Sequence, residues 1–200
     1  MEISFSEAVK ARRSYYGISS EQVTGDERIH ELVGEMVTHL PSPFNSQSSR
    51  VVILLGQQHT RLWDLTKTEL QKLVPPENFP ATEEKINNCF RSGYGTLLYF
   101  EDQTVVQGLQ QAFPSYADNF PVWSQHASAM LQFAIWTGLE LDGWGASLQH
   151  YNPVIDAAVA AAWDIPADWK LIAQMPFGKP VTQPGPKEFQ PLAERIKLYR

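Results

Sequence analysis

The chain has 200 residues, 43% of them apolar, which is enough for one ordinary domain with a real core. A formal net charge of −6 with no lysine or arginine block argues against nucleic acid as a partner. No apolar run reaches the ~18 residues of a membrane span, and the first residues lack the apolar core of a signal peptide. The single cysteine, Cys89, excludes an intrachain disulfide and fits a reducing compartment, so a cytoplasmic protein is expected.

In chain order, Ser4 or Ser6 is placed to cap a first helix with Phe5, Ala8 and Val9 inward. This helix runs into Arg12-Arg13-Ser14-Tyr15-Tyr16, where two guanidinium forks and a hydroxyl suit a phosphate or a polar ring edge. The alternative is a basic helix end facing its own dipole. Residues 25–40 read as a second helix with Ile29, Leu32, Val33, Met36 and Val37 inward. Pro41 to Ser49 is a loop with two fixed proline angles, in which Asn45 and Gln47 can both donate and accept. Arg50 to Leu55 is a continuous apolar run of strand length and is expected to be buried. Helices follow at 58–74, ended by Pro75-Pro76, and at 82–92, with Ile86, Cys89 and Phe90 on one side. Thr96 to Phe100 is the second strand, and 103–112 is a short helix.

The stretch from Phe120 to Asp156 organises the rest. Ala127, Met130, Leu131, Ala134, Ile135, Gly138 and Leu139 recur at helical spacing and predict a helix buried on most of its surface. Asp142-Gly143-Trp144-Gly145 stops it, the exposed segment Ser147 to Asn152 follows, and Pro153 is placed to start another helix. Backbone amides in that segment can face a planar ligand; the alternative is a core helix followed by a plain loop. Trp169 to Phe177 is a third strand with Pro176 near its edge. The tail from Gly178 to Arg200 is too apolar to be free and is expected to pack on a partner subunit.

The chain resembles the flavin-dependent nitroreductase family, in the subgroup similar to the yeast fatty-acid-repression and copper-induced bacterial nitroreductases. Five segments carry the resemblance in the correct order: Arg12-Arg13-Ser14; the Pro41-Ser42-Pro43-Phe44-Asn45-Ser46-Gln47 loop; Gly93 to Thr96; Phe120 to Ala127; and Gly145 to Pro153. Trp169 to Gly178 extends it over nearly the whole chain. The resemblance implies an α+β fold, with a mostly antiparallel sheet flanked by helices, as a single FMN-binding domain over residues 1–200 in an intertwined homodimer. Residues 178–200 would be a C-terminal extension packed on the partner. It also implies transfer of hydride from NAD(P)H through flavin N5 to nitroaromatic or quinone acceptors by a ping-pong route, with no catalytic side chain and no metal. Arg12, Arg13, Ser14 and Tyr16 would lie at the cofactor with Ser147, Leu148, Gln149 and His150. Pro41, Ser42, Pro43, Asn45 and Gln47 would come from the other subunit, and Arg195 and Lys197 would close on the phosphate.

Three departures from the wider family stand out. Ser147-Leu148-Gln149-His150 replaces a P-x-E-G run, so an acidic side chain near the flavin is lost. Tyr16 stands where a lysine is common, and the C-terminal basic pair is reversed as Arg195 and Lys197. A further contact implied by the resemblance falls on Lys85, Asn87 or Asn88. Two rival readings are a flavin-binding stress or regulatory protein with incidental activity, and a metal enzyme using His126 and His150, which lack close ligand spacing.

Overall fold

The structure is a computed structural model and describes residues 3–200. At its centre lies strand β3, Gly95–Asp102, in which every residue is buried. It pairs antiparallel with β2 (Ser49–Leu55) on one side and β5 (Trp169–Pro180) on the other. β5 also pairs with β4 (Gly145–Ala146) on its far edge and, beyond the end of β3, with β1 (Ile18–Ser19).

Both faces of the sheet are covered, which is why β3 reads as an unbroken apolar run rather than an alternating one. Leu97 and Tyr99 face α2 (Asp26–His39) and α6 (Phe120–Leu141), where Ile29, Leu32, Leu131, Ile135 and Leu139 pack against them. Leu98 and Phe100 face α3 (Gln57–Gln71), α4 (Phe79–Ile86) and α7 (Asp156–Trp163) through Leu62, Trp63, Ile86 and Val159. A register shift opposite Tyr99 and Phe100 puts Ala173 on the first face and Leu171 on the second, although two residues apart they would normally share a face. The expected α+β fold, with an antiparallel sheet flanked by helices, is therefore present. No helix among the described residues is long and apolar enough to cross a membrane.

Several expectations need correction. The Arg50 to Leu55 strand is an edge strand in which only Leu54 is fully buried, because nothing among the described residues pairs with its outer side. Phe5, expected inward, is 78% exposed, and Val37 also faces outward. The helix expected over 82–92 is α4, which begins at Phe79, continued by a π-helical turn over Asn87–Arg91. Pro153 lies in a turn three residues before α7. Pro176 sits in an interior strand. Its carbonyl takes the Ser147 amide, so the side of the strand where its missing N–H falls is the side facing the short 145–149 segment. Helix α6 is covered on one face only, and Val122, Met130, Phe133 and Leu141 are exposed on the other. The tail is extended and leaves Phe189, Leu192, Ile196, Leu198 and Tyr199 exposed in the single chain.

The core reading makes a simple forecast. Leu97→Ala should destabilise the protein by about 2–5 kcal/mol in urea unfolding, because Leu97 is 0% exposed. Leu73→Ala, at a position 66% exposed, should stay within about 0.5 kcal/mol. Equal losses at the two positions would contradict this placement of the core.

Candidate functional site

Helix α1 (Phe5–Ala11) opens on a capping box, in which the Ser4 hydroxyl accepts the Glu7 amide and the Glu7 carboxylate accepts the Ser4 amide. The backbone leaves helical geometry at Arg12 and becomes extended. Ser14 then forms a parallel bridge with Ala146, and the Tyr15 amide donates to the Ala146 carbonyl at 2.9 Å. Only glycine permits this approach at position 145, since a Cβ there would lie 2.8 Å from the Tyr15 ring. The pairing puts Arg12-Arg13-Ser14 beside the segment Ser147 to His150, two groups separated by more than half the sequence.

The 147–150 segment is itself held to β5. Ser147 donates its amide to the Pro176 carbonyl at 3.2 Å, and Gln149 and Gln174 exchange amide bonds at 2.7 and 2.9 Å. Strand alternation then points the amides of Leu148 and His150 away from β5. Neither makes a backbone hydrogen bond among the described residues. The Gln149 side chain folds back to donate to the buried Ser147 hydroxyl at 3.0 Å, and His150 is exposed. The Tyr151 amide donates to the Gln174 side chain at 2.7 Å. Its ring packs edge-on to Trp63 and Phe90, so Tyr151 belongs to the core rather than to an open stacking surface.

Charge at this site is arranged around Glu140 on α6. Its carboxylate accepts the Tyr15 hydroxyl at 3.0 Å and the Arg13 amide at 3.4 Å. Partial burial raises its pKa above the ordinary 4.5, while Tyr15, Arg13 and Arg12 oppose the shift. The Arg12 guanidinium lies 4.3 Å from the centre of the Trp136 ring, and burial lowers its pKa against the pull of Glu140. Arg13 donates to the Gly185 carbonyl at 2.6 Å, which ties the start of the tail to the site. Tyr16 is half exposed, with its ring 6.3 Å from that of Phe90. Lys85 lies over the same Phe90 ring at 6.0 Å. The Asn87 side chain is occupied by Lys67 at 2.9 Å, and the Asn88 carbonyl takes the Ser92 hydroxyl. Lys85 and Tyr16 thus both lie near the Phe90 ring.

The Pro41 to Gln47 loop is somewhere else. Pro41, Ser42, Pro43 and Phe44 line a cavity of about 390 Å³ with Trp123, His126 and Met130, at the N-terminal half of α6. Glu140 lies near the other end of that helix, roughly 25 Å from Trp123 at 1.5 Å per residue. Phe44, Asn45 and Gln47 all have φ near +50°, a conformation costly for residues with a Cβ, at roughly 1–3 kcal/mol each. The turn is held by the Ser42 hydroxyl, which accepts the Gln47 amide at 2.9 Å, and by Arg50, which donates to the Gln47 carbonyl at 2.6 Å. The Phe44 ring packs within 6.4 Å of Phe113, Tyr116, Phe120 and Trp123. Arg195 and Lys197 are exposed on the tail.

Sequence reasoning missed Tyr15, Trp136, Glu140 and Gln174. Trp136 and Glu140 are four residues apart on one helix face, but nothing local announces that an N-terminal arginine will meet them.

Known proteins share this sequence pattern and fold. The Nitroreductase family matches residues 9–179. The nitroreductase FRM2 of Saccharomyces cerevisiae is 33% identical over 186 residues, covering 91% of each chain. The structure of nitroreductase CinD from Lactococcus lactis is 39% identical, with a TM-score of 0.89 over 98% of this chain and 100% of that one. A nitroreductase structure from Saccharomyces cerevisiae aligns with a TM-score of 0.76 at 32% identity, over 88% of this chain and 96% of that one. The chain belongs to the nitroreductase family.

The Glu140 site has a pH signature. Its folded pKa is raised, so its contribution to stability is complete below the ordinary 4.5 and is lost as pH rises through the folded value. The melting temperature of the wild type relative to Glu140→Gln should therefore fall as pH rises through that window. A relative rise would contradict the burial-dominated environment.

Proposed function

We propose that the protein is an FMN-dependent oxidoreductase that uses NAD(P)H to reduce nitroaromatic or quinone acceptors, working as a homodimer with shared sites. The observation that carries the reading is the Ser14–Ala146 bridge, which joins a basic turn to a strand edge with outward amides. These groups fit a flavin. Among the described residues the Arg12 guanidinium has no hydrogen-bonding acceptor of its own, and the Leu148 and His150 amides are donors turned away from the sheet. Such donors suit the phosphate and the electron-rich pyrimidine edge, where negative charge accumulates on reduction.

Arg12, Arg13, Ser14 and Tyr16 would hold the group from one side, and Ser147, Leu148, Gln149 and His150 from the other. Pro41, Ser42, Pro43, Asn45 and Gln47 would line a partner's site, since a single chain holds them too far from Arg12 to serve one cofactor. Arg195 and Lys197 on the exposed tail would reach the phosphate once the tail lies on the second subunit. When bound, FMN supplies hydride exchange at N5 between NAD(P)H and the acceptor, in ping-pong order. The chain's residues bind, orient and exclude water, and none is required as nucleophile or acid. Phe44 and Trp123 offer flat surfaces for planar acceptors. The Lactococcus lactis relative has been seen in complex with 4-nitrophenol and with chloramphenicol. A structural neighbour from Desulfovibrio desulfuricans, 19% identical, is in complex with FMN. The lone cysteine fits a cytoplasmic setting.

Purified protein should release FMN on denaturation. Arg12→Ala should weaken FMN binding about ten- to a hundredfold, the value of one charge-assisted hydrogen bond of roughly 1.5–3 kcal/mol. His150→Ala should change it far less, because the proposed donor there is the backbone amide. A protein that neither carries FMN nor binds it when added, or one more sensitive at His150 than at Arg12, would overturn this assignment.

A further inference from the structure

Trp136 is a partly buried indole on α6 that packs against the core cluster under the sheet. Its Nε1–H is buried and has no hydrogen-bond partner among the described residues. An orphaned donor of this kind weakens a fold, so an aliphatic side chain would serve the core better here. What tryptophan adds is the face of its ring, and that face carries the Arg12 guanidinium at 4.3 Å. Glu140, one turn further along the same helix, engages Tyr15 and the Arg13 backbone rather than Arg12. Arg12 is thus supported from below by a π surface, and among the described residues no carboxylate or carbonyl occupies its N–H fork.

We propose that Trp136 is a positioning residue for the flavin site, acting through Arg12 by holding the guanidinium on its ring with the N–H fork available to the cofactor. This rests on the flavin reading given above. A salt bridge would hold Arg12 as firmly, but it would occupy the donors the ligand needs and neutralise the charge. A ring face does neither. The indole N–H plays no part in the scheme, so the ring matters and the nitrogen does not.

The test is FMN affinity, read by quenching of flavin fluorescence on full-length apo-protein, with the melting temperature of each variant recorded alongside. Trp136→Met should weaken FMN binding about three- to thirtyfold, the range for a partly desolvated cation–π contact. Trp136→Phe should restore most of it, and Trp136→Met in an Arg12→Ala background should add no further loss. Site-specific replacement of Trp136 by fluorinated tryptophans keeps the shape, so folding is not at risk; affinity should fall stepwise as fluorines drain the ring face. Equal loss in the presence and absence of Arg12, or no response to fluorination in a protein that binds FMN, would overturn the role of Trp136 alone. Wild-type protein that binds no FMN would overturn the flavin reading, and this proposal with it.

Discussion

Strand β5 is paired along both edges, and the rest of the molecule depends on that. One edge meets β3 and fixes the core; the other holds β4 and Gln149. The second set of pairings has little to do with the hydrophobic interior. It fastens the chain after α6 so that Ala146 can receive Ser14, and it sets which amides of the 147–150 segment face away from the sheet. The site is therefore built on the rigid edge of a sheet, with the basic turn brought to it by a single bridge.

Electrostatics follow from where that bridge falls. It brings Arg12 and Arg13 down onto the C-terminal half of α6, against Glu140 and Trp136. One carboxylate organises the turn through Tyr15 and the Arg13 backbone, and one ring supports the remaining guanidinium. The result is a partly desolvated positive charge with its donors available, the condition under which an anion is bound more strongly than in open water. The opposite end of α6 carries the strained Phe44 turn and its aromatic neighbours. On the proposed reading, one helix separates two half-sites that a second copy of the chain would bring together.

Much of the fold was legible in the sequence where local pattern and burial agree. The strand around Thr96 to Phe100, the helix around Ile135 and the helix stop at Gly143, whose φ is +89°, are all marked by residues that have few other uses. The two-residue strands β1 and β4 were not legible, because a pair of residues has no period. The edge status of β2 was hidden because an apolar run reports burial and not what lies along its outer side. The exposed Phe5, the outer face of α6 and the apolar tail have the same ambiguity. At the site, Arg12 and the 147–150 segment could be singled out by residue type and resemblance. Glu140 and Trp136 could not, because their importance comes only from the long-range pairing of Ser14 with Ala146.

The most direct test of the shared-site account is complementation between two defective chains. Arg12→Ala and Asn45→Ala chains carrying different tags can be co-expressed and the mixed dimer purified for FMN titration. If each site takes Arg12 from one subunit and Asn45 from the other, the mixed dimer has one intact and one doubly altered site. It should then bind one FMN with wild-type affinity, although both parent proteins bind weakly. A mixed dimer with no tight site, or a wild-type protein that holds FMN as a clean monomer, would contradict the account.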